Sequence, residues 1–304
     1  MKNVVFDTGF HDLVDTWGPR QVLDGLGFPE GPVMLPQGYL IFSDIGNDAI
    51  LRYSRPGRTG IFRQPSGGAN GNTLDPQGRL VTCEGGLRRL TRTERDGTVT
   101  ILADSYRGKR LNSPNDVVVR SDGTIYFTDP IFLGDDDEMM GPDEQVLAQS
   151  YMDLDFCGVF KISPDGELSI LTKDIVRCNG LAFTPDEKVL YVVNSADSSV
   201  YAFDVDIDGS IENQRVWLKM EYEVFGLGDG MKVDVDGNVY VTGPGGVWVA
   251  GGDGTPLGII RIEVPASNLA FYGFDSRMLF ITAVPGAFLQ RLKVPGISVI
   301  DRIR

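Results

Sequence analysis

The sequence predicts an all-β six-bladed β-propeller with a divalent-metal site on its axis. Three observations lead to this prediction. A unit of two apolar strands joined by a tight turn occurs six times, successive units begin 40, 45, 64, 50 and 39 residues apart, and each unit opens on a polar residue. One four-stranded blade takes about 40 to 50 residues, so six units at this spacing favour a six-bladed ring.

The repeated unit is clearest from Asn115 to Asp129, where two apolar runs flank the turn Asp122-Gly123. Two β-branched and aromatic runs joined by a short turn with glycine are typical of a β-hairpin. In every unit the opening residue lies eight positions before the turn residue. The opening residues are Glu30, Asn70, Asn115, Asn179, Asp229 and Asn268, and the turn residues are Gly38, Gly78, Gly123, Glu187, Gly237 and Ser276.

The outer strands of each blade are predicted from the apolar runs that follow each hairpin. These runs cover 49–53 in blade one, 88–93 and 98–103 in blade two, 158–162 and 168–172 in blade three, 201–205 in blade four, 246–250 and 259–263 in blade five, and 288–294 in blade six. Residues 4–6 and 21–23 are candidate outer strands that precede the first hairpin. We expect one of them to pair with the last blade, because that pairing closes the ring without an exposed edge.

Residues 1–304 are interpreted as one domain, because a propeller is a closed ring and no polar linker interrupts the repeat. The pattern breaks only at 131–157, an acidic stretch without a clear period. Long insertions in repeat proteins usually lie on one face. We therefore predict that 131–157 is an insertion that forms a lid or a pocket wall.

Composition excludes several classes of partner. The formal net charge of −14 and the lack of a basic run argue against nucleic acid and anionic membranes as partners. No stretch of about 18 apolar residues is present. Three widely spaced cysteines do not form a disulfide framework, and the amino terminus lacks a signal-peptide pattern, so the predicted compartment is the cytoplasm. The oligomeric state stays open.

The six opening residues predict a shared site, because equivalent positions of a propeller lie on one ring around the axis. All six carry a carboxylate or an amide, and the chain has a single histidine, His11. The simpler alternative is that these side chains only cap strand ends. Oxygen donors without histidine or cysteine indicate a hard divalent cation, with calcium the first choice and magnesium, manganese, ferrous iron or zinc as alternatives. The ends of the second strands should border this ring: Asp44, Glu84, Asp129, Asn194 and Thr242.

Five motifs in order resemble the senescence-marker-protein/regucalcin/gluconolactonase family. They are EGPV at 30–33, NSPNDVVV at 112–119, YFTDP at 126–130, NGLAFTPDE at 179–187 and DGMKVD at 229–234. The resemblance implies a six-bladed propeller with one catalytic divalent metal, and many family members hydrolyse sugar lactones. It also implies that Glu30, Asn179 and Asp229 are metal ligands, and that Asn115 binds the metal or contacts water or substrate.

The predicted function is metal-dependent hydrolysis of a lactone, with a small molecule as the only expected partner. We expect Asp229 to act as the base and Glu30 mainly as a ligand. The predicted substrate-binding residues are Asn115, Asn70, Asn112, Asp129 and Arg110. Phe225 and Leu227 precede Asp229, so a less polar lactone stays open beside a sugar lactone. Hydrolysis of an organophosphate or ester, an isomerisation or ring opening, and a binding propeller with a structural ion are the alternatives.

Overall fold

The computed structural model describes residues 3–54, 58–131, 153–298, 300 and 303. In this part of the chain, six antiparallel sheets follow one another as blades; five have four strands paired in succession, and one has a fifth strand added at its outer edge. The first strand of each sheet contacts the first strands of both neighbouring sheets, so that the six form a closed ring. The all-β, six-bladed propeller predicted from the repeat is therefore confirmed.

The strands of each blade begin and end close to the predicted runs. Blade one has Pro29–Met34, Leu40–Asp44, Ala49–Ser54 and Arg58–Arg63; blade two has Ala69–Leu74, Leu80–Glu84, Arg89–Thr93 and Val99–Ala103; blade three has Val117–Val119, Ile125–Asp129, Gly158–Ile162 and Leu168–Thr172; blade four has Cys178–Phe183, Val189–Asn194, Ser199–Val205 and Ile211–Lys219; blade five has Met231–Val233, Val239–Gly243, Gly246–Ala250 and Pro256–Arg261; blade six has Ala266–Tyr272, Met278–Ala283 and Gly286–Arg291.

The fourth strand of blade six comes from the amino-terminal part of the chain. Arg20–Leu23 pairs antiparallel with Gly286–Arg291, with Arg20 opposite Leu289. The predicted closure of the ring by an early strand is therefore confirmed. Val4–Val5 pairs with Pro256–Arg261 and adds a fifth strand to blade five.

The turn of each inner hairpin explains the fixed offset in the sequence. All six turn residues have a positive φ, which ranges from 49° at Ser276 to 94° at Gly123. Each donates its backbone N–H to the carbonyl three residues earlier, as Gly123 does to Arg120 at 2.9 Å. Glycine adopts this conformation without a steric penalty, which accounts for its presence in four of the six turns.

The core lies between the blades, where the apolar faces of adjacent sheets pack together. Aromatic pairs cross these interfaces: the ring centroids of Phe42 and Phe280 are 5.7 Å apart between blades one and six, and those of Tyr126 and Phe183 are 4.9 Å apart between blades three and four. Such pairs add to the stabilisation from buried area. Neighbouring blades are thus held together mainly by side-chain packing, together with a few backbone hydrogen bonds near the opening residues.

Little other secondary structure is present in the described residues. A four-residue helix covers Phe10–Leu13, a 3-10 turn covers Ile45–Asn47, and a small hairpin pairs Ser105–Tyr106 with Lys109–Arg110. No helix in the described ranges is long and apolar enough to cross a membrane. The predicted lid at 131–157 falls mostly on residues 132–152, which lie outside the described residues.

Candidate active site

The six opening residues lie where the chain enters the first strand of each blade. Glu30, Asn70, Asn179 and Asn268 occupy the second or third position of their strands, whereas Asn115 and Asp229 lie two residues before theirs. Four of the six are buried, and Asn70 and Asp229 are partly exposed. The structure therefore brings these residues to one end of the central channel, which we call the axial ring.

Glycines bring the axial ring together. A Cβ added to Gly31 would lie 2.1 Å from the carbonyl oxygen of Asn70, and one added to Gly180 would lie 2.2 Å from that of Asp229. Gly71 and Gly230 make equally close contacts with Asn115 and Asn268. The glycine after one opening residue therefore packs directly against the opening residue of the next blade, in four of the six positions.

Glu30 and Asn268 join the first blade to the last. Asn268 donates its side-chain amide to Oε2 of Glu30 at 3.0 Å, and the backbone N–H of Gly31 donates to the same oxygen at 2.8 Å. The other end of the Asn268 side chain accepts the N–H of Leu269 at 2.8 Å. Both side chains are consequently fixed in orientation.

Asn179 and Asp229 lie on neighbouring blades. Asn179 donates its side-chain amide to Oγ of Ser195 at 3.0 Å, and Ser195 in turn donates to the carbonyl of Gly228 at 2.6 Å. These bonds connect the ligand candidate in blade four to the segment that carries Asp229. The carbonyl of Asp229 accepts the N–H of Gly180 at 3.1 Å.

The carboxyl groups of the axial ring hold their protons unusually tightly. Burial raises the pKa of Glu30 to about 7, against the opposing effect of the hydrogen bonds from Gly31 and Asn268. Burial of the Asp229 carboxyl among protein atoms raises its pKa well above the usual value, and the negative charges of Glu30 and Asp116 raise it further. Like charges that share a buried site oppose ionisation, so this end of the channel favours a cation.

Two charged residues of the channel were missed by the sequence analysis. Asp116 is buried, and burial raises its pKa, whereas the charge of Lys232 and a hydrogen bond from Asn268 lower it. Lys232 also lowers the pKa of Glu30. The sequence signals were that Asp116 stands where four other units have glycine and that no other unit has a charged residue at the position of Lys232.

Three second-strand ends hold the segments that lead into the axial ring. Asp44 accepts the N–H of Phe28 at 2.9 Å, Asp129 accepts that of Asn112 at 2.8 Å, and Asn194 accepts that of Arg177 at 3.0 Å. Glu84 instead pairs with Arg89 at 2.6 Å, and Thr242 donates to the carbonyl of Ser267 at 3.0 Å. These side chains thus fix the loops around the ring.

The predicted substrate-binding residues fall into three groups. Asn70 and Asn115 belong to the axial ring. Asn112 and Asp129 are buried behind it, and burial raises the pKa of Asp129 to about 7. Arg110 is exposed on the small hairpin, where its guanidinium donates to the carbonyl of Leu87 at 3.0 Å, and no described hydrogen bond joins it to the ring.

The donor set of the axial ring fits a hard cation. Two oxygens of the ring, Oδ1 of Asn70 and Oδ1 of Asn179, are buried without a hydrogen-bond partner among the described residues, as is Oδ2 of the neighbouring Asp116. The same holds for Oδ1 of Asn112 and Oδ1 of Asp129 behind the ring. Oxygens of this kind are the ligands that calcium and magnesium prefer. No group of three His, Cys, Asp or Glu side chains suited to a metal occurs within the described ranges, so the axial metal site stays a prediction that depends on amide ligands.

Comparison with known proteins agrees with this architecture. A gluconolactonase of Zymomonas mobilis is 32% identical over an alignment of 323 residues, which covers 97% of this chain and 87% of that protein. A solved structure of a gluconolactonase from Xanthomonas campestris has a TM-score of 0.84 at 32% identity, and the match covers 96% of this chain and 95% of the other.

A more distant structure shares the fold. Regucalcin of Agrobacterium tumefaciens, described as a calcium-binding protein, has a TM-score of 0.69 at 17% identity, and the match covers 93% of this chain and 96% of the other. The family model described as the SMP-30/Gluconolactonase/LRE-like region matches residues 28–285. This range contains all six opening residues. The chain therefore belongs to the SMP-30/gluconolactonase/LRE-like family.

Proposed function

We propose that this protein is a metal-dependent lactonase that adds water to the acyl carbon–oxygen bond of a lactone and releases the hydroxy acid. The observation that carries the proposal is the convergence of two carboxylates and several amides at one end of the channel, in a chain similar over almost its full length to a gluconolactonase. Gluconolactone is accordingly the first substrate to test.

Glu30, Asn115, Asn179 and Asp229 are the residues that would hold the cation. Calcium is the first choice because the donors are all oxygens, and magnesium, manganese, ferrous iron and zinc are the alternatives. When bound, the cation would polarise the lactone carbonyl and offset the negative charge that develops on its oxygen.

The remaining catalytic roles fall to different residues of the chain. Asp229 is partly exposed and its raised pKa makes it a stronger base, so it is suited to take the proton of the attacking water. Glu30 is buried and held by Asn268, which suits a fixed ligand rather than a proton carrier. Asn70 and Asn115 would orient the substrate through their amides.

We also propose a cytoplasmic location. Cys83, Cys157 and Cys178 are all free thiols and all buried. Free thiols are typical of a reducing compartment.

The decisive experiment measures hydrolysis of glucono-1,5-lactone by pH-stat, with background subtraction for spontaneous opening. Protein stripped by a chelator and then supplied with each divalent ion in turn would be compared with untreated protein. We expect activity to be lost on chelation and restored by one or two of the ions. Turnover that is indifferent to chelation would refute the role of the metal, and no turnover of any lactone would refute the lactonase. Aryl esters and phosphotriesters in the same assay test the other hydrolytic reactions.

A further inference from the structure

Large apolar side chains are exposed beside the axial ring. Val176 precedes Asn179 by three residues and is 73% exposed, and Phe225 and Leu227 precede Asp229 by four and two residues and are 74% and 51% exposed. Ile175, next to Val176, is buried at 1%, whereas Val224, next to Phe225, is also exposed, at 40%. Leaving such side chains in water forgoes the stabilisation that burial would bring, so a cluster of them marks a contact surface.

The backbone holds these side chains at the mouth of the channel. All three lie on segments that connect the last strand of one blade to the first strand of the next, at the end where the opening residues lie. The carbonyl of Phe225 accepts the N–H of Gly245 at 3.3 Å, and the N–H of Gly228 donates to Oγ of Ser198 at 3.0 Å. The segment before Asp229 is therefore anchored on both sides of Leu227.

The mouth of the channel is lined by apolar side chains on one side and mainly by polar groups on the other. Blades four and five are neighbours and contribute Val176, Phe225 and Leu227. The equivalent segments of blades two and three carry Gly67, Gly68, Asn112 and Ser113 just before their opening residues. One apolar side chain on that side, Leu87, packs against Gly67 and is 46% exposed. A further apolar side chain, Phe28, precedes Glu30 in blade one and is about one-third exposed. A substrate at the axial ring would meet an apolar surface on the side of Asp229 and polar groups on the side of Asn115.

We propose that Val176, Phe225 and Leu227 are specificity-determining residues that bind an apolar substituent of the substrate, which is a lactone with an alkyl or aryl side group rather than a fully hydroxylated sugar lactone. This proposal rests on the lactonase function proposed above. A polyhydroxylated ring would leave its hydroxyl groups unpaired against these three side chains, which is unfavourable. An alkyl group would instead bury apolar area on both partners.

The test is a series of δ-lactones with alkyl substituents of increasing length, from δ-valerolactone to δ-decalactone, together with glucono-1,5-lactone. For the wild-type protein we expect kcat/KM to rise by about two- to fourfold per added methylene, the gain expected from burying one methylene group. We expect the rise to come mainly from KM, because the substituent is bound equally before and during the reaction.

Two variants distinguish loss of this apolar surface from a general effect of replacing an exposed apolar side chain. The double substitution Phe225→Ser and Leu227→Ser should lower kcat/KM progressively with chain length, so that the slope of the series falls to near zero. Phe274→Ser removes a fully exposed phenylalanine from a hairpin turn at the other end of the channel, and should leave the slope unchanged. A wild-type series without slope, or an unchanged slope in the double variant, would overturn the proposal.

The two substrates without an alkyl chain keep the two proposals apart. If neither δ-valerolactone nor gluconolactone is hydrolysed with any divalent ion, the proposed lactonase function fails. If they are hydrolysed and chain length has no effect, the lactonase stands and only the apolar subsite fails.

Discussion

Asn268 of the last blade donates a hydrogen bond of 3.0 Å to the buried carboxyl of Glu30 in the first blade, across 238 positions of sequence. The bond lies at the seam where the ring closes. One oxygen of Glu30 is already occupied by Asn268 and by the N–H of Gly31. The carboxyl of Glu30 also shares a hydrogen bond with that of Asp229. Glu30→Gln should therefore remove the charge that a cation needs, while it keeps an oxygen that can accept from Asn268 and Gly31 and so leaves the seam intact.

The first prediction concerns the two acids. Glu30→Gln and Asp229→Asn should each lower kcat/KM for a lactone by about 10²- to 10⁴-fold, because one removes a charged ligand and the other removes the base. Asp236→Asn, on an exposed turn residue, is the control and should retain activity. Circular dichroism should show all three variants folded. Near-normal turnover in both ring variants would contradict the mechanism.

The second prediction is that the metal-free protein loses stability as the pH rises. The pKa of Glu30 is raised from 4.5 to about 7 and that of Asp129 from 3.8 to about 7, mainly by burial. The folded state therefore binds these protons more tightly than the unfolded state. Each protonated group therefore contributes on the order of 3 kcal/mol to the free energy of unfolding at low pH. This contribution is lost as the pH rises through about 7.

The measurement is urea unfolding of metal-free protein between pH 5 and pH 8.5, at constant ionic strength. Asp129→Asn should flatten the profile, because the amide carries no proton that can be lost. A divalent cation should restore stability at pH 8 in the wild type, since it binds the ionised ring. A stability that is constant or rises over this range would show that the two carboxyl groups are not held protonated.

The third prediction concerns the contact between neighbouring blades at the ring. Gly180→Ala would bring its Cβ to 2.2 Å from the carbonyl oxygen of Asp229, a backbone atom that cannot rotate away. We expect a loss of about 1–3 kcal/mol in the free energy of unfolding. Gly60→Ala in an outer strand is the control, because no atom lies within 4 Å of that Cβ. Equal stability of the two variants in urea unfolding would contradict the close contact.

The fourth prediction concerns the channel lysine. Lys232 is the cation that lowers the pKa of both Glu30 and Asp116. Lys232→Met keeps the aliphatic part of the side chain but removes its positive charge. Because that charge repels a divalent cation, we expect the variant to bind divalent ions roughly tenfold more tightly than the wild type. Titration calorimetry on metal-free protein measures this. Lys232→Arg, which keeps the charge, should bind like the wild type; equal affinity in all three proteins would exclude Lys232 as a counter-charge.

The six-bladed ring could be predicted from the sequence because the same hairpin pattern occurs in every blade. The offset of eight residues follows from a hairpin with a positive-φ turn, and that turn is visible as glycine in four units. The pairing of Arg20–Leu23 with the last blade could be predicted because an open ring would leave an edge strand exposed.

Other features depend on contacts that no local pattern records. Asp116 and Lys232 each interrupt the repeat, because four other units have glycine at the position of Asp116 and no other unit has a charged residue at the position of Lys232. That departure is a weak signal, and it does not show that either side chain faces the channel. Asp129 and Asn112 are buried, and the N–H of Asn112 donates to the carboxyl of Asp129; their contact with substrate stays a prediction. Their side-chain direction depends on which loop packs above them, and the hydrophobic period of a strand does not determine that.

The contact between blades six and one has a consequence for how the protein folds during synthesis. A chain leaving the ribosome presents Arg20–Leu23 and Glu30 early, but Asn268 is made 238 residues after Glu30, and Gly286–Arg291 later still. Until then the early strand has no neighbour, and the carboxyl of Glu30 lacks the side-chain amide donor of Asn268. Completion of the fold and assembly of the charged centre are therefore one late, non-local event. Interrupted synthesis anywhere before the final blade yields a chain that lacks both.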